Sequence, residues 1–206
     1  MLVTALSVGP IGTNCYVVGC EETLEGMVVD PGGHAERILA AVNEMGLTVK
    51  YVVNTHAHFD HVTANRAVVE ATGATLVVHP DEAPGLKAGG GAQWFGFEAD
   101  PSPEPGLLVQ EGDRLQVGRL DFQVMHAPGH APGHIMLYEA DEGVLFDGDV
   151  LFHRGIGRSD LPGGSHATLM RSIREKILTL PDETVVYSGH GPATTVGDEK
   201  RLNPWL

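Results

Sequence analysis

Cysteine is scarce in this 206-residue chain, with only Cys15 and Cys20 present. Two thiols cannot build the disulfide framework of a small secreted scaffold. They lie in NCYVVGC, so one strand would turn them to opposite faces, away from a shared bond or metal. Basic residues are few as well: 13 Lys and Arg stand against 27 Asp and Glu, a formal charge of -14. Such a surface repels phosphate backbones, which argues against a general nucleic-acid binder. No apolar run approaches the roughly 18 residues of a membrane span. The opening MLVTALSVGPIG has no basic segment of the secretory type and alternates like a strand. Charged residues reach only 19% and apolar residues 42%, which excludes a disordered polyelectrolyte. These absences lead to the expectation of a soluble, cytoplasmic protein with one domain over residues 1–206.

Histidine and glycine are abundant, at 11 and 27 residues, and the histidines cluster. The pattern predicts strands at 2–8, 14–18 and 26–30, then a helix within 34–46 closed by Gly46. A strand at 50–54 leads into a helix at 61–72 and a further strand at 75–79. Residues 80–106, with five prolines and a glycine triplet, read as a long loop, and loops of that length are more often functional or mobile than idle. Within it Trp94, Phe95 and Phe97 are expected to pack the loop down, with pocket lining as the alternative. Strands are expected at 114–117, 121–125, 133–139, 144–146 and 184–188. An amphipathic helix is expected at 166–180.

The chemistry is concentrated in Thr55-His56-Ala57-His58-Phe59-Asp60-His61. His56 and His58 are two apart, so an extended backbone directs both imidazoles to one side. Imidazole and carboxylate donors at that density suit a borderline metal such as zinc. One motif cannot close a site, and three others offer donors: HAPGHAPGH at 126–134, FDGD at 146–149 and SGHG at 188–191. All fall where a strand gives way to a loop, so one edge of a sheet sandwich can gather them.

In order and surroundings, THAHFDH, His130 in the PGH turn, Asp149 in FDGD and His190 in SGHG resemble the metallo-β-lactamase-fold hydrolases. Within that family the chain looks like the glyoxalase II (hydroxyacylglutathione hydrolase) branch, in a short form without the C-terminal helical domain. The resemblance includes VVDPGG and LFHRGIGRSDLPGGS and covers essentially the whole chain. It implies an α/β fold, an αββα sandwich with a two-metal centre at one edge of its sheets. It also implies that His56, His58 and His130 hold the first metal, that Asp60, His61 and His190 hold the second, and that Asp149 bridges them. Seven ligands with one shared leave an open position on each ion, the mark of a catalytic site. The implied reaction is hydrolysis of a thioester of the S-2-hydroxyacylglutathione type by a metal-bridging hydroxide, with Asp60 and Asp149 in the catalytic centre.

The implied cofactors are two divalent ions, zinc first, with iron or manganese as alternatives. The expected partner is a small thioester, with glutathione as one carrier, and neither nucleic acid nor membrane. Arg158 falls where the family places a basic substrate contact, and its alternative is a surface arginine. A competing reading is a mono-iron persulfide dioxygenase using His56, His130 and Asp149. A zinc β-lactamase, a nuclease and a metal-binding module without activity carry less weight. Among the other histidines, His126 and His134 are expected behind the ligands or on strands, and His34 and His79 at the surface or in turns. His153 and His166 are substrate contacts only as an alternative. Asp147 is expected to support its turn, with acceptance of a hydrogen bond from a ligand's second ring nitrogen as the alternative, and Asp30 is a candidate for the same acceptor role.

Overall fold

The computed structural model describes residues 1–97 and 99–206. The first half runs β1 (Leu2–Val8), β2 (Thr13–Gly19), β3 (Glu25–Val29), α1 (Ala35–Glu44), β4 (Thr48–Val53), α2 (Phe59–Val62), α3 (Asn65–Thr72) and β5 (Thr75–Val78). Next come α4 (Ala83–Lys87), β6 (Leu107–Leu108), β7 (Arg114–Val117), β8 (Leu120–His126), β9 (Ile135–Glu139) and β10 (Val144–Gly148). The chain then adds β11 (Leu151–Phe152), β12 (Gly155–Ile156), α5 (His166–Ser172), β13 (Val185–Ser188), β14 (Thr194–Thr195) and α6 (Val196–Leu202).

Two six-stranded sheets result, one ordered β1-β2-β3-β4-β5-β6 and the other β14-β13-β10-β9-β8-β7. Their central strands are apolar on both faces, and the period of two sorts neighbouring residues into different cores. Val17, Val28, Val52 and Leu76 point outward from the first sheet to meet Ile38 and Val42 of α1 and Val68 of α3. Their neighbours Val18, Met27, Val29, Val53 and Val77 point inward to Phe122, Val124, Leu137 and Phe146 of the second sheet. Beyond that sheet, Met136, Leu145 and Val186 receive Leu169 and Ile173. Helix, sheet, sheet and helix therefore form the expected αββα sandwich. Cys15 and Cys20 fall in different cores, as their spacing required, and both are free thiols.

Sheet polarity brings the motifs to one edge. β3, β4 and β5 are parallel, with Val29 beside Val53 and Val53 beside Val77, so Asp30 and residues 54–61 emerge side by side. In the second sheet β10 and β13 are parallel and end together at Gly148 and Ser188. The β8–β9 turn lies at the same end. Backbone bonds from Asn14 N–H to Gly189 O (2.7 Å) and from Ile135 N–H to Thr55 O (2.8 Å) tie the two sheets there.

Three expectations need correction. The helix at 61–72 is two helices, because the Ala64 amide donates to Pro31 O (2.9 Å) instead of continuing the α2 ladder. The loop at 80–106, which contains the undescribed residue 98, is not a plain loop. Pro80 and Pro84 each sit in the first turn of a short helix, where a missing N–H costs nothing, and Gly89–Phe95 forms 3-10 turns kinked at Gly90 and Gly91. The helix at 166–180 starts as expected, with the Ser165 hydroxyl accepting from Thr168 N–H, but continues from Ile173 to Ile177 as a π-turn. No helix among the described residues is long and apolar enough to cross a membrane.

Candidate metal centre

The structure brings every motif residue expected at the site to this edge. His56 follows β4, His58 precedes α2, and Asp60 and His61 lie in its first turns. His130 sits in the β8–β9 turn, Asp149 just past β10 and His190 just past β13. One group consists of His56, His58 and His130 and another of Asp60, His61 and His190, each with its donor atoms within 4.8 Å of one another. In the first, His130 Nε2 lies 3.2 Å from His56 Nε2 and 2.9 Å from His58 Nδ1. In the second, Asp60 Oδ2 lies 3.3 Å from His61 Nε2 and 3.2 Å from His190 Nε2. Asp149 stands between the groups. Its Oδ1 is 3.5 Å from His61 Nε2, and its Oδ2 is 3.6 Å from His130 Nε2 and 3.7 Å from His190 Nε2.

The far ring nitrogens decide which atoms face inward. His130 Nδ1–H donates to Arg158 O at 2.8 Å. Asp30 Oδ2 accepts from His61 Nδ1 at 3.0 Å and from the Thr55 hydroxyl at 2.7 Å. With its own proton given to Asp30, Thr55 Oγ1 accepts from His56 Nδ1–H at 3.0 Å. The Nε2 atoms of His56 and His130 are thereby left as lone-pair donors aimed into one space, which the Nε2 of His61 also faces. Asp30 thus takes the role of acceptor behind a ligand. Asp147 supports its turn, as expected: its Oδ2 accepts from Leu151 N–H at 2.8 Å.

A cation fits this arrangement. Lone pairs of His56 and His130 converge at a distance that repels without a positive charge between them. His61 Nε2 and Asp149 Oδ1 are buried without a hydrogen-bond partner. Nitrogen and oxygen donors in one shell are the chemistry of borderline divalent ions. Protonation states agree. Burial, reinforced by the neighbouring imidazoles, lowers His56 well below its usual value and takes His58 to about 4. Burial also lowers His130, so all three imidazoles of the first group are neutral at pH 7. In the second group burial would raise Asp60, but His61 and hydrogen bonds from His190, His61 and Thr13 outweigh it and hold the carboxyl far below its ordinary range. Asp149 is lowered in the same way, by His61 above all, against its burial.

His58, Asp60, His130, Asp149 and His190 line a cleft of about 520 Å³, with His56 and His61 buried and outside its lining. Its walls include Ile11, Phe59, Phe95, Phe97, Phe152 and Arg158. Phe95 and Phe97 lie against Phe59 at ring distances of 5.4 and 5.2 Å. These phenylalanines line the pocket, while Trp94 stands exposed, so the expectation that the trio chiefly packs the loop down is corrected. The Arg158 guanidinium reaches the cleft rim but is held by Asp160 through bonds of 2.8 and 2.9 Å.

The remaining histidines divide. His134 is buried, stacks on His56 at 4.8 Å and accepts from Asp149 N–H at 3.1 Å, so it steadies two site residues. His126 instead stacks on His79 at 4.4 Å. His79 caps the turn at 80–82, in keeping with the expected turn position, and is buried there, not at the surface. His34 is an exposed turn residue as expected, and His153 and His166 are exposed and do not line the cleft. Sequence reasoning missed Thr13, whose hydroxyl donates to Asp60 Oδ2 at 2.7 Å, and Glu82, whose carboxylate binds two loops of the site. A lone threonine gives no signal. Glu82 does, because it is an acidic residue just past a strand end, like Asp30 and Asp149.

An αββα sandwich with a His/Asp cluster at the edge of its sheets, fitted to divalent ions, defines a metal-dependent class of proteins. The chain belongs to the metallo-beta-lactamase superfamily, whose model matches residues 8–190. It is 39% identical to the hydroxyacylglutathione hydrolase GloC of Haemophilus influenzae, over 94% of this chain and 92% of that protein. It is 33% identical to the mitochondrial persulfide dioxygenase ETHE1 of Bos taurus, over 94% of this chain and 71% of that one. Among solved structures it is similar to the BLEG-1 B3 metallo-beta-lactamase, with 40% identity, a TM-score of 0.94 and coverage of 100% and 99% of the two chains. It is also similar to TTHA1623 in a di-iron-bound form, with 40% identity, a TM-score of 0.91 and coverage of 99% and 100%.

Proposed function

We propose that this protein is a dinuclear metal hydrolase acting on thioesters of the hydroxyacylglutathione type. The observation that carries the reading is the placement of Asp149 between two convergent donor groups at an open cleft. His56, His58 and His130 would hold one divalent ion and Asp60, His61 and His190 the other, with Asp149 shared. A pair of divalent ions in such a site supplies a hydroxide nucleophile at neutral pH and polarises the scissile carbonyl. The chain's own residues do the rest. Asp30, Thr55 and the Arg158 carbonyl fix the imidazole tautomers, and Thr13 orients Asp60. Phe59, Phe95 and Phe97 give the cleft an apolar wall beside His58 and Asp60. Arg158 offers a cation at the rim for a substrate carboxylate, which would have to share it with Asp160.

A second reading, a mono-iron persulfide dioxygenase on His56, His130 and Asp149, is supported by the persulfide dioxygenase relative and by the 3.2 and 3.6 Å separations within that trio. The test is a set of parallel assays on protein purified without added metal, with metal content measured on the same sample. The assays follow S-lactoylglutathione hydrolysis, oxygen uptake with glutathione persulfide, and hydrolysis of a β-lactam. Thioester hydrolysis with two metals per chain is the expected result. Oxygen uptake with one iron per chain overturns it, and so does β-lactam hydrolysis without thioesterase activity.

A further inference from the structure

We propose that Glu82 is a positioning residue that locks the His56, His58 and His130 group into register and leaves the Asp60, His61 and His190 group untouched. The proposal rests on the reading of these two groups as separate metal sites. Glu82 lies at the end of the turn that follows β5, on a segment that contributes no donor to either group. Its side chain is buried, and each of its two oxygens accepts one backbone hydrogen bond. Oε2 accepts from Ala57 N–H at 2.8 Å and Oε1 accepts from Gly133 N–H at 2.8 Å. Ala57 stands between His56 and His58, and Gly133 ends the turn that carries His130. One carboxylate therefore joins the two backbone stretches whose imidazoles must converge.

Neither amide has a backbone acceptor among the described residues, so loss of the carboxylate would leave two buried N–H groups unpaired. The approach also depends on the absence of a side chain at Gly133, where a Cβ would come within 2.7 Å of His79 Nδ1 and 3.0 Å of Glu82 Cγ. No hydrogen bond or ion pair connects Glu82 to residues 60, 61 or 190. A carboxylate accepting from two backbone amides orients its target in the way a partner behind a metal ligand does. Removal of such partners weakens metal binding by about 10–100-fold.

The alternative is that Glu82 only pins the segment at 80–95 to the body, and the two roles predict different binding curves. Metal-free protein would be titrated with Co(II) and followed by its visible absorption. His58→Ala and His190→Ala assign the two binding steps to their groups. Glu82→Gln keeps the shape but turns an amide donor toward one of the two N–H groups. Leu86→Ala is the control for general loosening, since Leu86 is buried in the same segment and hydrogen-bonds neither amide. For Glu82→Gln we expect the step assigned to His58 to weaken by about 10–100-fold and the step assigned to His190 to stay within about twofold. Equal weakening of both steps, or weakening matched by Leu86→Ala, overturns the positioning role, as do unchanged affinities. If wild-type protein shows no pair of steps that His58→Ala and His190→Ala remove separately, the two-site reading itself fails, and the proposal with it.

Discussion

At the scale of single residues, two side chains separate chemistry from recognition. Among the described residues, Asp149 is the one carboxylate that pairs with histidines of both donor groups, and its Oδ1 is buried without a hydrogen-bond partner. Asp149→Ala is expected to lower thioesterase activity by on the order of a thousandfold or more, as loss of shared charge stabilisation costs several kcal/mol. Far-UV circular dichroism should be unchanged, because the residue lies past the end of β10 and not in a core. An active Asp149→Ala protein would remove the shared-metal picture. Arg158 belongs to the opposite category, since its guanidinium is exposed and paired with Asp160. Arg158→Ala should raise KM by roughly 3–10-fold and leave kcat within about twofold, the signature of uniform binding. Unchanged kinetics would make it a surface arginine. In steady-state measurements with S-lactoylglutathione the two variants should therefore differ in kind as well as in degree.

At the scale of elements, the chain fails or succeeds by how tightly its loops close on one another. Gly189, between β13 and His190, illustrates the constraint. A Cβ there would collide with Asp149 Oδ1 and come within 2.8 Å of the His61 ring. Gly189→Ala should cut metal stoichiometry measured on the purified protein toward one ion or none, and two ions retained would show that the loop has slack. This closeness also explains what was legible beforehand. The motif residues could be read because each motif follows an apolar or β-branched strand run, and the pairing of those strands brings their ends to one edge. The strands at 114–117 and 121–125 were equally plain because their alternation is short and clean. The break between α2 and α3 was not legible, since it comes from a tertiary bond between Ala64 and Pro31 within a continuous helical pattern. The turns at 80–95 were hidden for another reason: proline stops a helix in its interior but starts one at its first turn, and composition alone does not say which. β14 and α6 went unread although Thr195 caps α6 by accepting from Asp198 N–H at 3.1 Å, because the segment has almost no apolar stripe.

At the scale of the whole molecule, the site concentrates a charge problem that the rest of the chain already has. The formal charge is -14, and Asp30, Asp60 and Asp149 are buried at one edge. Two divalent ions would offset that charge and bind only the folded chain, contributing about 2.7 kcal/mol each at a hundred times their dissociation constant. For a protein of this size that corresponds to roughly 5–11 °C in Tm per ion. Chelation should therefore lower Tm, and added Zn(II), Mn(II) or Fe(II) should restore it. The chelated protein should also have a distinctive acid limb. Folding keeps His56, His58 and His130 neutral, His58 down to about 4, whereas the unfolded chain protonates its histidines near 6.5. Between those values the unfolded state binds more protons, so stability falls as pH drops through that window. His61 and His190 are raised by their carboxylate neighbours against the lowering effect of burial. Protonated in both states below pH 6.5, they add no slope there. The depressed carboxyls of Asp60 and Asp149 extend the loss below their unfolded value of 3.8. Urea unfolding of chelated protein at intervals from pH 7 to 4 should show this decline. A flat profile would mean that the three imidazoles are hydrated and apart in the metal-free protein, so that metal binding would have to assemble the first group instead of finding it formed.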